Sequence, residues 1–420
     1  MRWLFLCVAR GDQNTPTLKC TRSRPSRLLL PFLFILSVFF QHHYLYAQNP
    51  IATENALTGN PRSEWDVINA GDPTIQGFAT DMSVNKGTTV RFKINVTGTN
   101  RNYTIRIYRL GYYQGNGARL VANLGTFSGV TQPNPSVDPV LGLVDCGNWS
   151  ESASWAVPSS AVSGVYLARL TRADNGGASH ITFIVRDDAA TPPILFKVAD
   201  ATWQAYNNYG GYSFYLGTTA NPEGRASKIS YNRPFSTRNI KPESFLFNAE
   251  YPMIRWMERN GYNMTYTTDV DMERNTTLIT PAKHKVLLSV GHDEYWSANM
   301  RNNFENARNA GVHLAFFSGN EVYWKTRWEN NTRTLVCYKE GATLGQGEFN
   351  CGGNCDPLPG VWTGLWRFGC EYGEDGCRPE NALTGQLSWT ESSIALQVPY
   401  EYRNLPFWRN TSVASLQPGQ

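Results

Sequence analysis

Three consecutive side chains that titrate or bind metal ions, His292, Asp293 and Glu294, follow directly on an apolar run at 286–290. The length and β-branched content of that run predict a buried strand, stopped by Gly291. An imidazole and two carboxylates at one strand end can move protons or hold a hard cation. Ser297 then predicts an N-cap, and Met300, Phe304 and Ala307 fall at i, i+4 and i+7 on one helix face. In open α/β sheets, ligands bind at the carboxyl ends of the strands. A helix macrodipole also attracts carboxylates, which would account for Asp293 and Glu294. It leaves His292 and the pair Tyr295-Trp296 without an explanation.

Two further strand ends carry polar clusters. The run at 194–198 leads into 202–215, which holds Tyr206, Asn207, Asn208, Tyr209, Tyr212 and Tyr215. The run at 312–317 leads into Ser318-Gly319-Asn320-Glu321-Val322-Tyr323-Trp324. All three clusters are expected on one edge of a sheet, so tyrosine, carboxylate, imidazole and carboxamide would share a crevice. The Tyr/Gly stretch also suits a loop that stacks on sugars or simply packs. There is no Gly-x-Ser-x-Gly elbow, no His-Glu-x-x-His and no phosphate-binding loop. Two of the six histidines lie before residue 48, so a His-rich zinc site is not expected.

The elements that must position these groups divide in two. Residues 58–188 alternate with period two: Val90, Phe92, Ile94 and Val96, then Ile105 and Ile107, then Ile181, Phe183 and Val185. Gly, Pro, Asn and Ser clusters separate the runs, which predicts an Ig-like β-sandwich with a structural or adhesive role. Ala189-Ala190-Thr191-Pro192-Pro193 reads as a linker. Beyond it strands and helices alternate, predicting a mostly parallel sheet with helices on both faces. A helix is expected over 249–260, with Met253, Ile254, Trp256 and Met257 inward and Gly261 closing it. A strand is expected over 262–268, and residues 335–420 show no clear period.

Composition fixes the compartment. Arg22, Arg24 and Arg27 precede an apolar run at 28–40, the pattern of a secretory leader ending near Ala47-Gln48. At thirteen residues the run is short for a membrane span. The mature chain is therefore expected without a stable span, in a secreted, periplasmic or cell-surface location. Setting aside residues 1–47 leaves 32 basic against 33 acidic residues. That balance excludes a nucleic-acid partner, whose affinity would need a basic surface. Cys146, Cys337, Cys351, Cys355, Cys370 and Cys377 remain, in spacings that fit no Cys-x-x-Cys zinc pair. Cys351–Cys355 and Cys370–Cys377 are the expected bridges, with Cys146 and Cys337 unpaired or joined to each other.

Gly291-His292-Asp293-Glu294-Tyr295-Trp296-Ser297, Ser318–Trp324, Gly364-Leu365-Trp366-Arg367, Ala205-Tyr206 and the Tyr215 loop together resemble the C-terminal catalytic domain of the N,N-dimethylformamidase large (beta) subunit. The resemblance covers roughly 190–385. It implies a three-layer, glutamine-amidotransferase-like α/β domain over 189–420, within a multidomain α+β protein. It also implies a mononuclear Fe³⁺ held by Tyr206, Tyr215 and Glu294, with His292 beside it. Asn320 and Lys339 match polar active-site groups, and the implied reaction is hydrolysis of a small amide. Asp293 stands where the family has proline. Tyr212 and Tyr231 are alternatives to Tyr215, and a further catalytic glutamate of the family would fall just past Gln420. The other expectation is a non-catalytic secreted module that binds carbohydrate.

Overall fold

The structure is a computed structural model that describes residues 49–275, 277–340, 355–368, 378–388 and 397–419. The leader expected at 1–47 and Cys351, Cys370 and Cys377 lie outside them. Cys355 is disulfide-bonded, whereas Cys146 and Cys337 are buried free thiols. Among the described residues no helix is long and apolar enough to cross a membrane.

The fold is mixed α/β and rich in strands. In the N-terminal part, β1 (Ile75–Ala79), β3 (Thr89–Val96) and β8 (Ala153–Ala156) form an antiparallel sheet. A five-stranded sheet runs in the order β2 (Ser83–Asn85), β10 (Ala178–Arg186), β9 (Gly164–Arg172), β4 (Asn102–Leu110), β5 (Ala118–Ser128). Its pairings are antiparallel except β2–β10. The period-two residues explain why these sheets meet. Val90, Phe92, Ile94 and Val96 point to a shared core with Ile105, Ile107, Ile181, Phe183 and Val185. A small hairpin, β6 (Ser136–Asp138) with β7 (Leu143–Asp145), forms a two-stranded sheet of its own.

After the linker the pattern changes. Four parallel strands lie in the order β13 (Met264–Thr267), β11 (Ile194–Lys197), β14 (Val286–Gly291), β16 (His313–Ser318). Alternate side chains supply opposite faces. Phe196, Leu288 and Val290 pack with Ile254 and Met257 of the helix Tyr251–Arg259. Leu195 and Leu287 pack with Met272, Met300, Phe304 and Ala307 from the helices Asp269–Arg274 and Ala298–Asn309. The Ser297 hydroxyl caps the latter helix, accepting from Met300 N at 3.2 Å. The chain crosses from β11 to β13 past the first helix and from β14 to β16 past the last. The adjacent strands β11 and β14 thus send their connections to opposite sides, the place where a doubly wound sheet has its ligand crevice.

Two expectations needed correction. Trp256 is 53% exposed, not inward. It lies about 200° round the helix from Ile254 and stacks on Tyr262 at 5.5 Å between ring centroids. A second sheet, drawn from strands between 228 and 365, was also announced by no periodicity. Its path is β12 (Lys228–Ser230), β18 (Thr334–Val336), β17 (Trp324–Glu329), β15 (Tyr295–Ser297), and β19 (Gly364–Leu365) also pairs with β17. Tyr295 and Trp296 are buried because they form β15 rather than a helix entrance.

The two aromatic rings define a stability test. Phe304 is fully buried, with Trp296 4.3 Å away between centroids. Phe304→Ala is expected to cost about 3–5 kcal/mol in urea unfolding. Trp256→Ala is expected to stay within about 0.5 kcal/mol of wild type.

Candidate functional site

Glu294 stands at the crevice between β11 and β14. Its backbone is fixed first: the amide donates to Thr202 Oγ1 at 3.0 Å, and its carbonyl accepts from Tyr323 and Trp324 amides at 3.0 and 2.9 Å. Its carboxylate then collects donors. Tyr206 Oη donates to Oε2 at 2.9 Å. Tyr215 Oη and Trp324 Nε1 donate to Oε1, each at 2.9 Å. The two phenol rings stack at 4.2 Å between centroids. Tyr206 sits at the C-terminal end of the helix Asp200–Ala205, which follows β11. Phe214 N bonds to the Ala205 carbonyl at 3.0 Å, turning the chain back so that Tyr215 meets Tyr206.

The remaining expected residues lie around this centre. His292 Nε2 is 3.3 Å from Glu294 Oε2, and its Nδ1 is 3.1 Å from Ser244 Oγ. Asn320 Nδ2 is 3.5 Å from His292 Nε2, and its buried Oδ1 has no partner. Exchanging the carboxamide ends would put a donor without an acceptor in that place, so either orientation leaves one end uncommitted. Lys339 Nζ lies 3.3 Å from the Tyr215 ring centroid and 4.9 Å from the Trp324 ring. Burial pulls its ammonium down to about 7 against the opposing pull of Glu294. Tyr206, Tyr215, Glu294, His292, Asn320 and Lys339 are therefore in one place. Tyr212 and Tyr231 are not: Tyr231 Oη donates to Asp200 at 3.0 Å, and the Tyr212 ring lies against Gly142.

The tyrosine hydroxyls matter to what this site can hold. Burial, then the charge of Glu294, pushes the Tyr215 hydroxyl far above the ordinary phenol range. Without a cation it is a donor to the carboxylate. Among the described residues no group of three His, Cys, Asp or Glu side chains could hold a metal ion. Tyr206, Tyr215 and Glu294 are the three convergent oxygen donors that could hold a hard one.

Behind the crevice lies a polar cluster whose pairings the sequence did not announce. Lys197, at the end of β11, is buried against Asp269 and Asp293. Ser289 Oγ touches both Asp293 Oδ2 and Glu321 Oε1. One hydroxyl proton cannot serve two carboxylates. Burial, then the charge of Asp293, pushes Glu321 up to about 8, so it carries the second proton at neutral pH. Glu250 is also pushed up to about 8 by burial, and its Oε2 has no partner. Ser244 sits in a segment of no particular period. Glu250 lies in the expected helix 249–260 and Glu321 in the strand-end cluster 318–324, but nothing in either segment announced a buried partner.

A carboxyl held neutral by the fold stabilises it fully below the unfolded pKa, and that contribution disappears as pH rises through the folded value. For Glu250 the window runs from the ordinary carboxylate range up to about 8. Relative to Glu250→Gln, wild type is expected to lose thermal stability steadily from about pH 5 to pH 8. Parallel melting curves over that range check this, and a constant difference would refute it.

No curated protein matches this chain. Two solved structures overlap a quarter of it. An AA10 lytic polysaccharide monooxygenase from Streptomyces lividans is 21% identical over 25% of this chain and 57% of its own, with a TM-score of 0.15. A chitin binding domain from Burkholderia pseudomallei is 20% identical over 25% and 56%, with a TM-score of 0.16. The chain thus spans little more than half of either structure, and superpositions this poor bear on neither fold nor function. The family model described as N,N-dimethylformamidase beta subunit-like, C-terminal, matches residues 104–420. The chain belongs to the N,N-dimethylformamidase beta subunit-like family.

Proposed function

We propose that the crevice holds one ferric ion through Tyr206, Tyr215 and Glu294 and hydrolyses the C–N bond of a small amide. The observation that carries this reading is the meeting of two phenol oxygens on the two oxygens of one carboxylate, each at 2.9 Å. Such a donor set is hard and, once the phenols ionise, triply negative, which suits a hard trivalent cation. The chemistry the ion supplies when bound is Lewis acidity, polarising the amide carbonyl and acidifying water.

The chain's own residues would do the rest. His292, held at Nδ1 by Ser244, would take a proton from the attacking water at Nε2. The Asn320 NH2, 3.5 Å from His292 Nε2 in the resting site, would turn to the oxygen that becomes negative. Lys339, against the Tyr215 ring, would favour the ionised form of that phenol. Trp324 and Tyr295 would fix the first row: Trp324 holds Glu294 Oε1, and Tyr295 Oη donates to Tyr215 Oη at 2.7 Å. The same reading takes 58–188 as an Ig-like module and 189–420 as a glutamine-amidotransferase-like domain. It takes 1–47 as an export leader.

Iron loading separates the outcomes. Wild type is expected to bind iron and to absorb visible light through tyrosinate-to-iron charge transfer, and Glu294→Ala to lose both. Asn320→Ala is expected to keep the metal but turn over about 10²–10³-fold more slowly. A colourless wild type after loading, or a Glu294→Ala protein with full occupancy, would remove this ligand set. A colourless protein that binds glycans would establish the carbohydrate-binding alternative instead.

A further inference from the structure

We propose that Asp293 is a positioning residue that locks together the three chain segments supplying the crevice. The inference rests on the reading of that crevice as the working site. Asp293 is fully buried and touches none of Tyr206, Tyr215 or Asn320 through its side chain. Its carboxylate instead binds three elements at once. Lys197 of β11 approaches Oδ1 and Oδ2 at 2.9 and 2.8 Å. Ser289 of β14 donates to Oδ2, and Trp296 Nε1 of β15 donates to Oδ1 at 2.9 Å.

Its backbone reaches a fourth segment. The Asp293 carbonyl accepts from Val322 N at 3.0 Å, and its amide donates to Ser318 Oγ at 3.3 Å. Those two residues bracket Asn320. Asn320 and Val322 both have left-handed backbones, φ 60° and 55°. For a β-branched residue such as Val322 that conformation is strained and must be held by its surroundings. The Asp293 carbonyl is one of the holders.

Neutralising Lys197 explains only part of what a carboxylate does here. Asp269 already pairs with that ammonium, and Asp200 and Glu321 crowd the same space. A second buried carboxylate adds desolvation cost and repulsion. Multipoint fixing is what it supplies: donors from β11, β14 and β15 converge on two oxygens, and the residue itself sits between His292 and Glu294.

The test uses the whole chain with Asp293→Asn and Ser289→Ala. Asp269 still balances Lys197 in the first, and the second removes only a hydroxyl, so a folding failure in one leaves the other informative. Amide hydrogen exchange is read in metal-free protein over 291–297 and 318–324, with β9 as the reference. Asp293→Asn is expected to speed exchange in both site segments by about tenfold or more, with β9 unchanged. Ser289→Ala should show the same pattern at smaller size. Ferric affinity should fall about 10–100-fold in Asp293→Asn. Unchanged exchange in the site segments, or an equal rise in β9, would overturn the proposal. A wild type that binds no iron would overturn the functional reading, while the exchange result still decides the role of Asp293.

Discussion

A charged nitrogen with no access to water stands at the end of β11. Burial alone would strip the proton from Lys197, but Asp269 and Asp293 reverse this and hold its ammonium well above the ordinary range. Asp269 follows β13 and Asp293 follows β14. The need to surround one cation therefore draws three parallel strand ends to a single point. Once they are drawn together, the loops they launch have little choice of direction. Tyr206 comes off β11 by a short helix, and Glu294 comes off β14 by a three-residue step. The oxygen triad is a consequence of that convergence more than of any contact within the triad.

Periodic features were legible in the sequence. The alternation in β3, the run at 286–290 and the i, i+4, i+7 stripe of Met300, Phe304 and Ala307 each report a burial pattern that local geometry imposes. Trp256 shows the limit of that signal. An apolar residue beside an apolar stripe reads as core, although only the sheet's width decides whether anything covers it. The chemistry of the triad was legible by residue type at strand ends, and the choice of Tyr215 over Tyr212 came from the family resemblance. The fold makes that choice through one backbone bond, Phe214 N to the Ala205 carbonyl, which has no sequence signature. Ser244 was missed for a similar reason. It meets His292 across a long sequence separation, from a segment with no period.

The Pro-rich linker separates two kinds of sequence, yet one apolar cluster spans it. Tyr108, Leu110, Val165 and Leu167 from the antiparallel sheets share one apolar cluster with Phe196, Ile254 and Tyr266 from beyond the linker. A buried Arg109–Glu258 pair at 2.8 Å crosses the same boundary, and Glu258 also accepts from Asn55 and Tyr266. Ser83 and Arg186 reach across to Asp271. The family match beginning at residue 104, inside β4, agrees with a structural unit that includes the last antiparallel strands. The parallel sheet rests on the N-terminal sheets as a foundation.

Cys146 and Cys337 bear on how the chain matures. In the folded protein both thiols are sealed, and burial pushes each up to about 12, so neither forms the thiolate that disulfide exchange requires. Before folding, the same two sulfurs are ordinary thiols among the other cysteines. In an oxidising compartment they would compete for the partner of Cys355. In such a compartment correct pairing would depend on timing, because β17, β18 and the hairpin ahead of Cys146 would have to close over these sulfurs before oxidation reached them. The apolar core would then act as a protecting group for both thiols.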